Sequence, residues 1–83
     1  MRVAIRYFAS VREALGSGDS LEVPEGSTVG MVRDRLIARG GAHVTALARG
    51  RALRCALDHV LCDESAPVRE GSEVAFFPPI TGG

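Results

Sequence analysis

One segment of this chain repeats its apolar residues at a helical period over two turns: Val29, Val32 and Leu36 fall within about 60° of one another on a helical wheel. Gly26, Ser27 and Thr28 offer an N-cap before it, and Arg39-Gly40-Gly41 offers a stop after it. Elsewhere the apolar residues alternate. Val3, Ile5 and Tyr7 interleave with Arg2, Ala4 and Arg6, so residues 2 to 8 read as a strand with one face toward a core. A short amphipathic turn follows at residues 11 to 15, and Gly16-Ser17-Gly18-Asp19 turns the chain into a second strand, Leu21-Glu22-Val23, closed by Pro24. Past the helix the pattern weakens from Ala42 to Arg51, where Arg49-Gly50-Arg51 reads as a solvent-facing loop. Residues 52 to 57 form a third strand, Val60 to Cys62 a short edge piece, and 68 to 72 a turn. Glu73 to Phe77 is the last strand, because Pro78 and Pro79 have no amide hydrogens to continue a ladder.

Two strands, a helix and two or three more strands make an α+β chain in which one main helix covers a mixed sheet of four or five strands. That is the ββαββ order of a β-grasp, or ubiquitin-like, fold. The competing ferredoxin-like order needs a second full helix between Gly41 and Ala52, and the glycines argue against it. Eighty-three residues suffice for one domain. Residues 1–77 are the expected β-grasp domain, and 78–83 an extended tail.

A chain this short buries only about 60% of the surface its unfolded form exposes, which favours a carrier or binding module over a self-contained enzyme. Ten acidic and ten basic side chains cancel, so nucleic acid is not an expected partner. All ten basic residues are Arg, and without Lys the chain offers neither a Schiff-base amine nor an isopeptide acceptor. Arg2, Arg6 and Arg12 interrupt any signal-peptide run, and no stretch approaches the roughly 20 apolar residues of a membrane span. A cytoplasmic protein with no membrane partner is expected. Cys55 and Cys62 fit neither a Cys-x-x-Cys motif nor a zinc knuckle and read as reduced structural thiols. His43 and His59 are too few for a typical metal site, and His59 beside Asp58 reads as a solvated pair. Arg49, Arg51 and Arg54 read as a solvated face. No serine sits in a nucleophile elbow.

The aromatic residues come as doublets, Tyr7-Phe8 and Phe76-Phe77, and strand neighbours point to opposite faces. Tyr7 and Phe76 are expected in the core. Phe8 and Phe77 are expected on the other face as one exposed apolar patch, unless residues 11 to 15 fold over Phe8. The six residues Pro78-Pro79-Ile80-Thr81-Gly82-Gly83 reach roughly 20 Å when extended, beyond the roughly 12 Å radius of gyration of such a domain. The prolines stiffen the root, and the glycines carry no side chain to block a narrow channel. Such a tail suits delivery of a terminal carboxylate into a partner's active site.

The run Phe76-Phe77-Pro78-Pro79-Ile80-Thr81-Gly82-Gly83 after Gly71-Ser72-Glu73-Val74-Ala75 resembles the carboxyl-terminal signature of the molybdopterin synthase small-subunit family of ubiquitin-like sulfur carriers. Tyr7-Phe8-Ala9-x-x-Arg12-Glu13-x-x-Gly16 and Val29-x-x-x-Arg33-x-x-Leu36 extend the likeness over the chain, while Leu57-Asp58 stands where the family commonly has Val-Asn. The resemblance implies that an adenylating, E1-like enzyme uses ATP to activate the Gly83 carboxylate. A sulfur donor such as a cysteine desulfurase or rhodanese-like protein then leaves a thiocarboxylate. It further implies docking on the large subunit of molybdopterin synthase and sulfur donation there to cyclic pyranopterin monophosphate, in a heterotetramer around a dimer of large subunits. Gly82 would thread the tail, and Phe8, Leu61, Phe77, Pro78, Pro79, Ile80 and Thr81 would meet the partner. On this reading the chain is a non-catalytic, sulfur-donating subunit with no bound cofactor. The alternatives are a sulfur carrier for another pathway, such as thiamine thiazole synthesis, and a ubiquitin-like interaction module.

Overall fold

A computed structural model describes residues 1–79, and the expectations for Ile80, Thr81, Gly82 and Gly83 lie outside the described residues. The element order is β1 (Arg2–Tyr7), α1 (Ala9–Leu15), β2 (Gly18–Glu22), α2 (Val29–Ile37), α3 (Ala42–Ala46), β3 (Arg54–Leu57), β4 (Val60–Cys62) and β5 (Glu73–Phe77). The five strands form one mixed sheet ordered β2-β1-β5-β3-β4, the α+β β-grasp arrangement expected. β5 is central. It pairs parallel to β1, with Tyr7 opposite Phe76, and antiparallel to β3, with Cys55 opposite Phe76.

One face of that sheet is sealed. Val3, Ile5, Tyr7, Val74 and Phe76 from the sheet and Val29, Val32 and Leu36 from α2 are essentially inaccessible. Helix α2 begins where the sequence puts it, with Thr28 Oγ1 accepting from the Met31 amide at 3.3 Å. Its first free amides find carbonyls in the segment before β5: Val29 donates to Ala66 and Gly30 to Glu64. That approach is so close that a Cβ on Gly30 would meet the Glu64 backbone oxygen at 3.2 Å.

Three local expectations change. Residues 11 to 15 belong to a seven-residue helix, α1, whose Val11 is buried. The chain turns directly from β1 into it because Ala9 takes a left-handed φ of 53°, a conformation that costs a non-glycine residue about 1–2 kcal/mol. The segment after Gly41 is not simply loop: Ala42–Ala46 forms one short helix, α3, and Ala46 and Leu47 pack into the core. β2 starts earlier than expected, at Gly18, because it follows the register of β1, in which Arg6 faces Gly18 and Arg2 faces Glu22.

Among the described residues, no helix is long and apolar enough to cross a membrane.

Candidate functional site

Strand alternation assigns the other face of the sheet without ambiguity. Because Val3, Ile5 and Tyr7 point to α2, Arg2, Ala4 and Arg6 point away, and the burial of β1 alternates accordingly. The registers then carry that face across the sheet. One row runs Arg6, Ala75, Ala56, Leu61; the next runs Phe77, Arg54. Phe8 continues β1 opposite Phe77, its amide donating to the Phe76 carbonyl at 3.2 Å. Among the described residues, no helix covers this face.

Phe8 is 40% exposed and Leu61 60% exposed, so α1 does not fold over Phe8. Phe77 is half-buried, and the Arg6 guanidinium carbon lies 5.7 Å from the centre of the Phe8 ring. Small Ala56 and Ala75 lie between the larger side chains and are themselves buried. The structure therefore brings Phe8, Phe77 and Leu61 onto one open face, with arginines around them. Glu73 is one acid of this face, 4.0 Å from Arg6 and 3.4 Å from His59. Asp58 instead accepts from the Glu73 amide, so the expected Asp58–His59 pairing is replaced by His59–Glu73.

The tail leaves from the middle of the sheet rather than from an edge. Phe77 is still paired with Arg54, Pro78 is half-buried and Pro79 is exposed. Both neighbours of β5 hold the root of the tail, so its direction is fixed as far as the ladder reaches.

Two polar clusters brace the opposite side. Arg33, 3% exposed, donates through Nε to the Leu47 carbonyl at 2.9 Å and through Nη2 to the Ala48 carbonyl at 2.6 Å, while Nη1 meets Glu64 at 2.7 Å. Arg49 closes the same cluster on Glu64, on Asp34 and on the Gly30 carbonyl. Burial opposes the charge on Glu64, yet its hydrogen bonds from Arg49 and Arg33 prevail and hold its carboxyl below the usual range. Arg49 is exposed, as expected, yet it also ties α2 to the segment before β5. Sequence reasoning missed Arg33 as a buried group; the absence of Lys was no help, and only its position beside the apolar stripe of α2 hinted at it.

The second cluster centres on Asp19, which accepts from the Tyr7 hydroxyl at 2.7 Å and lies 3.3 Å from both Arg39 and His43. Burial works against its charge, but the bonds from Tyr7 and His43 and the nearby Arg39 guanidinium hold its carboxyl below the usual range. Burial, then the bond to Asp19, push the Tyr7 phenol above its ordinary range. His43 is therefore a brace between β2 and α3. Among the described residues no three metal-binding side chains gather.

Taken together, these features equip the described chain to present a surface and a tail: one face is locked by packing and internal ion pairs, and the other is open, apolar at its centre and continuous with the tail root. Comparison with known proteins agrees. The model of the ThiS family matches residues 5–83. The molybdopterin synthase sulfur carrier subunit of Escherichia coli is 35% identical over 98% of this chain and 99% of its own. Among solved structures, SAMP1 from Haloferax volcanii superposes with a TM-score of 0.79 at 26% identity, covering all of both chains. Subunit 1 in the complex of subunits 1 and 2 of the molybdopterin-converting factor from Helicobacter pylori shares the fold, with a TM-score of 0.70 at 21% identity over all of both chains.

Proposed function

The chain belongs to the ThiS family, and from that premise we propose that it is the sulfur carrier subunit of a molybdopterin synthase, acting in the cytoplasm. The observation that carries this reading is the 35% identity to a sulfur carrier subunit over nearly the whole length of both chains. The open face and the Pro-Pro-Ile-Thr-Gly-Gly tail that continues β5 support it.

The chemistry assigned to the tail follows from what a carboxylate cannot do. A free carboxylate at Gly83 is a poor electrophile. An adenylating enzyme therefore joins it to the α-phosphate of ATP, expelling pyrophosphate and leaving a mixed anhydride whose carbonyl carbon is open to attack. A persulfide on a donor protein attacks that carbon and displaces AMP; a second thiol then cleaves the acyl disulfide, becoming disulfide-bonded to the donor cysteine, and the terminus is released as a thiocarboxylate, a soft anionic nucleophile. The domain then docks on the large subunit through Phe8, Leu61 and Phe77, with Pro78, Pro79, Ile80 and Thr81 lining the way in. Gly82 passes the narrowest part of the channel, and Gly83 gives up its sulfur to cyclic pyranopterin monophosphate. Substrate-binding and acid–base groups belong to the large subunit, since this chain is too small to enclose a pocket of its own.

The test is a mass spectrum of the carboxyl-terminal peptide after incubation with a molybdopterin-type adenylating enzyme, ATP and sulfide. Exchange of one oxygen for sulfur, localised to Gly83, is expected, followed by its loss when large subunit and pterin precursor are added. Loading without that loss would leave a carrier for another acceptor, such as a thiazole synthase. No loading, with a control carrier loaded in parallel, would leave an interaction module.

A further inference from the structure

Cys55 and Cys62 have no part in the chemistry above, yet the fold sets them face to face. The turn of the β3–β4 hairpin is Asp58-His59, both residues taking the positive φ (48° and 69°) that a tight two-residue hairpin needs. The cysteines lie three residues out on either side of it, and the antiparallel register pairs them directly. Both side chains point to the α2 side of the sheet, since Cys55 shares a register row with Phe76. Their sulfurs are 3.9 Å apart, and the Cys55 thiol donates to the Cys62 carbonyl at 3.3 Å.

Directly opposed residues in an antiparallel pair have Cα atoms about 4.5–5.5 Å apart, inside the span of about 4.4–6.8 Å that a disulfide bridges. Closing the remaining gap between the sulfurs therefore needs rotation of the side chains and a slight approach of the two strands, since opposed Cβ atoms lie about 4.5–5.5 Å apart and a disulfide holds them at about 3.5–4.5 Å. The site is also reachable. The two cysteines line a surface cavity of about 390 Å³ together with Leu53, Arg54, Asp63 and Glu64. Access is unequal: Cys62 is half-buried, whereas Cys55 is 6% exposed.

We propose that Cys55 and Cys62 form a dithiol site that a low-molecular-weight disulfide converts reversibly into an intrachain disulfide. Cys62, its proton released to water, attacks one sulfur of the oxidant; an S–S bond to Cys62 forms as the oxidant's own S–S bond breaks and one thiolate leaves. Cys55 then loses its proton to water and attacks the Cys62 sulfur, forming the Cys55–Cys62 bond and expelling the second thiolate. Two cysteine thiols lose two electrons and two protons, and one disulfide is reduced to two thiols. The order of events follows from access, and burial together with the neighbouring Cys62 sulfur, which push the Cys55 thiol up to about 12, also disfavours Cys55 as the first attacker. The bond would tie the three-residue edge strand β4 to β3, covalently fixing the sheet edge that carries Leu61.

The inference stands whether or not the chain carries sulfur. It is tested on the full chain equilibrated in buffers graded from reduced to oxidised glutathione, quenched with a maleimide and analysed by intact mass and peptide mapping. The expected result is loss of two hydrogen atoms from most chains at the oxidised end, a single peptide pair linked through Cys55 and Cys62, no dimer, and full return of both thiols in reduced glutathione. In Cys55→Ala the glutathione adduct at Cys62 should persist, because nothing is left to displace it. Wild-type chains that carry two maleimides at every ratio, a persistent wild-type glutathione adduct at Cys62, or disulfide-linked dimers would each overturn the proposal.

Discussion

The two faces of the sheet are built from the same strands and differ in what limits each residue. Toward α2, Val3, Ile5, Tyr7, Val74 and Phe76 are all at most 1% exposed, and every one has neighbours on all sides. Away from α2, Phe8 and Leu61 keep much of their surface in water, and Arg6 and Arg54 are exposed beside them. A residue on the first face contributes through close packing, which is lost whenever atoms are removed. Apolar area on the second face contributes little to folding and is available for burial by a partner. Substitutions on the two faces should therefore separate cleanly into stability effects and binding effects.

The sharpest form of the comparison uses adjacent residues. Phe76→Ala should cost about 3–5 kcal/mol of stability, the range for removing a ring from a closed core, read as a lowered urea midpoint with unchanged slope. Phe77→Ala, one residue on and facing away, should cost about 1 kcal/mol or less of stability while weakening binding to a large subunit by roughly tenfold or more. Equal stability losses at the two positions would break the division.

Arg33 tests whether the sealed face depends on charge as well as on packing. Arg33→Met keeps much of the stem but leaves the buried Leu47 carbonyl without its donor and takes one donor each from the Ala48 carbonyl, which keeps the Arg51 amide, and from Glu64, which keeps Arg49, at a cost of about 2–4 kcal/mol. Arg33→Lys should recover little of it, since one ammonium cannot reach three acceptors in different directions. A hydrogen-exchange measurement should place the damage in α3 and the 47–51 segment, the parts the guanidinium holds. Loss spread evenly over the sheet would argue that Arg33 acts only by filling space.

The same residue explains where the sequence could and could not be read. β5 was legible to the residue because an alternating run ended at two prolines, and α2 because its cap, apolar stripe and glycine stop agreed. Helix α3 was not legible: five residues span too little of a helical period to show one, and it is fixed by long-range bonds from Arg33 and by burial of Ala46 and Leu47. An arginine in a helix ordinarily faces water. What buries this one is Glu64, thirty-one positions away, and no local pattern announces that pairing. On the open face, Phe8 and Phe77 could be placed by alternation alone, whereas the Cys55–Cys62 pairing required the hairpin turn to be located at Asp58-His59 first. Symmetry about that turn was the signal.

Acid should probe the sealed side selectively. Asp19 and Glu64 both have pKa values held below their ordinary 3.8 and 4.5 by internal donors. A depressed folded-state value means the unfolded chain binds protons first, so the stabilisation is complete at neutral pH and is lost as pH falls from about 4.5 downward through the folded values. The thermal midpoint should therefore be flat near neutrality and decline on acidification. Asp19→Asn should lower the neutral plateau and shallow that decline, and an unchanged acid limb in this variant would remove Asp19 from the account.

Leu61 offers the smallest stability effect and the finest test of the open face. It lies on an edge strand at 60% exposure, opposite Ala56, and nothing in the core leans on it. Leu61→Ser should change stability by no more than about 0.5 kcal/mol, as for most surface positions. If the docking surface extends across the row from Arg6 to β4, the same change should weaken the complex a few-fold, less than Phe77→Ala because the site lies at the rim rather than the centre. A double variant with Phe77→Ala separates two outcomes by its additivity: independent losses place the two residues in separate contacts, and a smaller combined loss places them under one partner element. An effect of Leu61→Ser on stability but not on binding would confine the docking face to β1, β5 and the tail root.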